Sequence, residues 1–137
     1  MQLVLLVCSE STTLDQRRNS VSIFHIFDEW NVATFPFVIS HMSITAIFVR
    51  QENEEPGEIF LRIALDDQEL FRGPVNANFQ GRLRLRILND IGGLIIPRPG
   101  MLSVSIVNQD RVLGEWTMPV THIGQAAIAQ PSLTFRQ

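Results

Sequence analysis

Lysine and tyrosine are both missing from this chain of 137 residues. All eleven positive side chains are therefore arginine, set against fourteen acidic ones for a net charge of -3. A GC-rich genome would favour arginine but would also deplete isoleucine, of which there are fourteen. Lineage-biased composition is the plainer explanation, and avoidance of lysine-directed modification the sharper one. The lack of a basic excess argues against a dedicated nucleic-acid binder. With a single cysteine, Cys8, no intrachain disulfide can form. No segment approaches the roughly 20 apolar residues of a membrane span. The opening run Met1–Cys8 has no basic residue before it, is short for a signal core, and carries Val7 where cleavage needs a small residue. Leu3–Val7 is therefore expected as a buried first strand, and the cytoplasm as the default location.

Catalytic signatures are also absent. Ile91-Gly92-Gly93-Leu94 lacks the lysine and the following helix of a phosphate loop. There is no Gly-x-Ser-x-Gly elbow. His25, His41 and His122 stand apart without metal-ligand spacing, and Cys8 has no partner cysteine. Asp28 and Glu29 are neighbours that a strand would send to opposite faces, and Asp66-Asp67 suits a turn. The expectation is a protein that is not an enzyme and needs no cofactor or metal.

What is present is alternation. Arg82-Leu83-Arg84-Leu85-Arg86-Ile87-Leu88 switches between charged and apolar at every residue. Only a β-strand turns that pattern into one wet and one dry face. Ile39 to Gln51 alternates with Met42, Ile44, Ala46 and Phe48 inward and His41, Ser43 and Thr45 outward. Glu58 to Asp66 does so through Ile59, Leu61, Ile63 and Leu65, and a final hairpin through Leu102, Val104 and Ile106, with Trp116 as an anchor on its return. Ser9 to Asn19 is a polar loop by composition, and Ser20 to Trp30 a second strand, apolar on both faces and so expected either in the centre of a sheet or with its second face against a partner. Glu69 to Arg72 is a short strand stopped by Gly73-Pro74; Asn89-Asp90 and Gly92-Gly93 break the arginine strand ahead of a brief Leu94-Ile95-Ile96. Eight or nine short strands at this spacing give an all-β fold, a two-sheet antiparallel sandwich of immunoglobulin-like or similar type over residues 1–120. Residues 121–137 form a tail or closing element.

Two features could carry binding. One is the row Arg82, Arg84 and Arg86, widened by Arg62 if its strand is adjacent. Same-face neighbours lie roughly 7 Å apart along a strand. The row is thus either a solvated face paired with acids on adjacent strands or a docking stripe, for an acidic protein surface before phosphate groups. No aromatic residues are interleaved to stack bases. The other is an excess of apolar residues on strands that should have a wet face: Ile23, Phe27, Ile47, Val49 and Phe60. On one outer sheet they would predict a homodimer or permanent partner.

Three stretches carry a family likeness. The first strand ends in Cys8, and Asn19-Ser20-Val21-Ser22-Ile23-Phe24-His25-Ile26-Phe27 runs on to Phe35-Pro36. Pro97-Arg98-Pro99-Gly100-Met101-Leu102-Ser103-Val104-Ser105-Ile106 leads to Leu113-Gly114-Glu115-Trp116-Thr117-Met118-Pro119-Val120. Over residues 1–120 the chain resembles a family of small bacterial and phage-associated β-sandwich proteins of unknown function. The resemblance departs at His25, near a place where glycine is expected, and it implies a sandwich fold without an active site. The resulting expectation is a binding or assembly module that works through a protein partner or self-association, without nucleic acid or membrane. The alternative is a sandwich that takes a small molecule or carbohydrate at its loop end, with Trp30, Phe35 and Phe37 as candidate contacts.

Overall fold

Strands that alternate apolar and polar residues must bury their apolar faces against one another, and nine do so here. The computed structural model describes residues 1–124. In chain order the strands are β1 (Gln2–Asp15), β2 (Ser20–Ile26), β3 (Trp30–Val32), β4 (Phe37–Val49), β5 (Ile59–Leu65), β6 (Gln68–Val75), β7 (Arg84–Ile96), β8 (Gly100–Asn108) and β9 (Arg111–His122). They form a four-stranded sheet, β2-β1-β4-β7, and a five-stranded sheet, β3-β9-β8-β5-β6. The result is a two-sheet β-sandwich. Every pairing is antiparallel except β3 with β9, which is parallel. Among the described residues no helix is long and apolar enough to cross a membrane. The closing element expected over residues 121–137 lies largely outside the described residues.

The core is the seam between the sheets. Met42, Ile44, Ala46 and Phe48 of β4 face Ile59, Leu61, Ile63 and Leu65 of β5 and Leu102, Val104 and Ile106 of β8, all buried. These are the residues whose alternation was regular in the sequence. Each of these side chains larger than Ala46 contributes about 1.5–3 kcal/mol by leaving water. Cys8 sits opposite Ile44 on the inner side of β1, and burial pushes its thiol from 9.0 up to about 12. Trp116 packs on this core and donates its indole N–H to the Phe27 carbonyl at 2.8 Å.

Four strand assignments change. Ser9 to Asp15 is not a loop: it extends β1 and pairs with β2 from Ser9↔Ile26 to Asp15↔Ser20. Serine and threonine suit turns as single residues, but here a tight hairpin supplies their backbone partners. Ser20 to Ile26 is not a central strand but the edge of its sheet, with Phe24 and Ile26 exposed. Trp30 belongs to the other sheet, because the chain crosses over at 27–29. Gly73 and Pro74 lie within β6, which is also an edge, where the missing proline N–H is harmless.

The fourth change concerns β7, a single strand of 13 residues that runs straight through Asn89-Asp90 and Gly92-Gly93. Pairing with β4 along its length overrides these breakers. They leave a mark, however. Ile91 faces the core opposite Met42, and beyond the glycines Leu94 and Ile96 do so too, so the inward phase slips by one residue. Gly93 absorbs that slip at φ 70°, in the left-handed region open to glycine. A Cβ there would meet nothing within 4 Å, so the cost of Gly93→Ala is backbone strain alone. It is expected to lower unfolding free energy by about 1–2 kcal/mol in urea titration. Gly92→Ala, whose nearest contact is the Ser40 carbonyl at 3.4 Å, is expected to cost less.

Candidate functional site: the arginine groove

The outer face of the four-stranded sheet places Val7 and Ser9 of β1 beside Thr45 and Ser43 of β4, and these beside Leu88 and Asp90 of β7. Val7, Ser9, Ser43 and Thr45 are all buried, although an uncovered outer face would leave them wet. The cover is the β1–β2 hairpin. β1 pairs with β4 only as far as Ser9, and the hairpin tip lies beyond Asp15, about 20 Å further along at 3.4 Å per residue. Yet Asn19 at the tip accepts from Arg86 of β7 twice, at its carbonyl (3.2 Å) and its side-chain oxygen (2.9 Å). Arg86 stands opposite Ile47, level with Leu5. A guanidinium cannot reach such a tip unless the hairpin folds back over the sheet.

Polar contacts hold the bend. His25 takes φ 57° within β2, a left-handed conformation natural to glycine. Its ring meets the Glu10 carboxylate at 3.1 Å. His41 of β4 donates from Nδ1 to the Glu10 carbonyl at 2.7 Å, with Nε2 3.4 Å from Asp90. Ser43 donates to the same Asp90 carboxylate at 2.6 Å. Among the described residues no three of His, Cys, Asp or Glu gather so as to hold a metal ion.

Folding back creates a groove of about 770 Å³ between the hairpin tip and the segment leading into β7. Asn19 forms one wall, Asn78–Gln80 and Arg82–Leu83 the other, and Ile47 and Leu85 supply apolar lining. Arg82, Arg84 and Arg86 all line it. Only Arg84 and Arg86 belong to β7; Arg82 precedes the strand, its N–H donating to the Phe79 carbonyl at 2.9 Å. Opposite Arg84 and Arg86 on β4 stand Val49 and Ile47. Among the described residues none of the three arginines has a carboxylate within ion-pair distance, so the pairing expected of a solvated face is missing.

Arg62 does not join them. It lies on β5 in the other sheet, bound to Glu69 at 3.0 Å. The apolar residues also divide. Ile47 and Val49 lie on the groove side of β4, whereas Phe60 is in the other sheet beneath the Arg72 guanidinium at 4.9 Å. Phe27 packs on the core, and Ile23 is half-buried within the hairpin. Sequence reasoning missed Asn19 and Phe79. Asn19, a left-handed turn residue at φ 51°, carried a turn signal but nothing to link it to Arg86.

A family model matches residues 3–121. The chain belongs to the family of unknown function DUF6941. The match takes in all nine strands but for the first residue of β1 and the last of β9, hence both sheets, the folded-back hairpin and the groove of this DUF6941 sandwich. No curated protein and no solved structure matches the chain.

Proposed function

We propose that the protein is a non-enzymatic binding and assembly module that docks an acidic protein surface in the Arg82–Arg84–Arg86 groove. The observation that carries this reading is three guanidinium groups around one open groove without a carboxylate partner. Unpaired like charges this close repel, and an incoming anionic side chain relieves the repulsion. The planar arginine fork favours carboxylates, which it bonds bidentately. Apolar lining from Ile47 and Leu85 supplies affinity, while the charges set orientation and encounter rate. The bacterial and phage-associated character implied by the family resemblance fits a role within a larger assembly.

Affinity capture from the native lysate tests this, with the full chain and an Arg82→Ala/Arg84→Ala/Arg86→Ala form as baits. The expected result is a protein held by the first and lost from the second. Equal retention on both baits, or none on either, sinks the reading.

One observation favours small-molecule binding as a second reading. Where β1 peels away from β4, a cleft of about 420 Å³ is lined by Phe27, Trp30 and Phe37 together with Glu10, Ser11 and His41. The Trp30 ring packs against Phe27 at 4.4 Å and Phe37 at 5.4 Å, and its indole N–H is buried without a partner. Aromatic walls with a few polar groups suit a sugar or another small polar ring. Phe35 packs on the core and is not among the residues that line this cleft.

A further inference from the structure

We infer that the occupant of the arginine groove is a second copy of this chain, which inserts its own acidic loop. The inference rests on the docking reading above and names the partner. The loop between β4 and β5 carries Glu52, Glu55 and Glu58, all exposed and, among the described residues, free of any ion pair. Arg50 holds that loop by its backbone, donating from Nη1 to the carbonyls of Gln51, Glu52 and Glu54. Its Nε donates to the Arg82 carbonyl at 2.8 Å and its backbone N–H to the Leu83 carbonyl at 2.9 Å.

Acidic loop and arginine groove are therefore stitched side by side. Asn78, Phe79 and Gln80 line the groove on one side and border the acidic loop on the other. Because Arg50 bonds carbonyls rather than carboxylates, the Glu52, Glu55 and Glu58 side chains stay exposed and available to an outside partner. A loop tethered in this way does not fill its own groove.

Adjacent patches of opposite charge are what a two-fold dimer needs, since the axis between them sets each loop on the other copy's groove. Leu83, 45% exposed and flanked by Arg82 and Arg84, lies at the junction of the two patches. Near the axis it would supply the dry centre that such an interface requires. Twelve charges, meeting three against three at each of the two equivalent contacts, would make the association strongly dependent on salt.

Sedimentation of the full chain tests the inference. A dimer is expected at low ionic strength, with monomer at roughly 1 M NaCl, where screening acts within about 3 Å. Arg82→Glu/Arg84→Glu and, separately, Glu52→Arg/Glu55→Arg/Glu58→Arg are each expected to lose the dimer. An equimolar mixture of the two is expected to regain it, a rescue that misfolded variants cannot produce. A wild-type monomer at low salt, or a dimer indifferent to salt and to both reversals, overturns the inference. In that event the capture experiment decides the docking reading by itself: loss of a partner from the arginine variant assigns the groove to a different acidic protein. Unchanged capture removes both.

Discussion

Between pH 9.0 and about 12 burial of the Cys8 thiol is expected to cost the folded protein about 4 kcal/mol of stability, a loss that a Cys8→Ala form is spared. The buried thiol keeps its proton up to about 12, whereas in the unfolded chain it releases it at its ordinary 9.0. Over that window the unfolded state binds fewer protons, so stability falls as pH rises. It is fully present below 9.0 and gone once the folded thiol ionises. About three pH units at roughly 1.36 kcal/mol each set the size. In most proteins lysine and tyrosine would bury this signal, but the chain has neither. Urea unfolding at pH 8, 10 and 11 on both forms measures the slope. Parallel slopes would show that Cys8 is not the group responsible.

Phe48→Ala is expected to cost about 3–5 kcal/mol in the same unfolding assay at neutral pH. Phe48 is fully buried on the inner face of β4, flanked by Leu3 of β1 and Leu85 of β7, and points at the five-stranded sheet. Its removal opens a void that two packed sheets cannot close. Phe24→Ala on the exposed hairpin edge is expected to cost about 0.5 kcal/mol or less. A small loss at Phe48 would mean that the sheets are held together elsewhere.

These two phenylalanines also mark where the sequence could be read and where it could not. Around Phe48 the alternation Met42, Ile44, Ala46, Phe48 belongs to a strand with one inner face, and period two suffices to orient it. Around Phe24, residues apolar on both sides suggested a covered central strand. The structure makes that strand an edge instead, because its neighbour peels away after Ser9. Nothing in Ser9–Asp15 announces pairing, since serine and threonine serve turns and strands alike. Gly92-Gly93 read as a break because a local signal cannot reveal that β4 supplies a partner along the whole length of β7.

The groove divides in the same way. Arg84 and Arg86 share a face by alternation alone. Arg82 reaches the groove from a turn, and Arg62 leaves it, because strand order is a property of the sheet and not of any one strand. That Ser43 and Thr45 are buried, though their phase points them outward, was likewise illegible before the hairpin was seen to lie across them.

The order of strands in the two sheets has one more consequence. The chain changes sheet five times, contributing to one and then the other, so neither sheet is a continuous piece of polypeptide. The shortest segment that holds the whole four-stranded sheet, Gln2 to Ile96, carries β3 without its neighbour β9, and β5 stripped of β8. The shortest that holds the five-stranded sheet, Trp30 to His122, retains β4 and β7 but loses the hairpin that covers them. Any cut strands part of one layer inside the other. The two layers are woven rather than stacked, and the sandwich can only assemble, and come apart, as one cooperative unit.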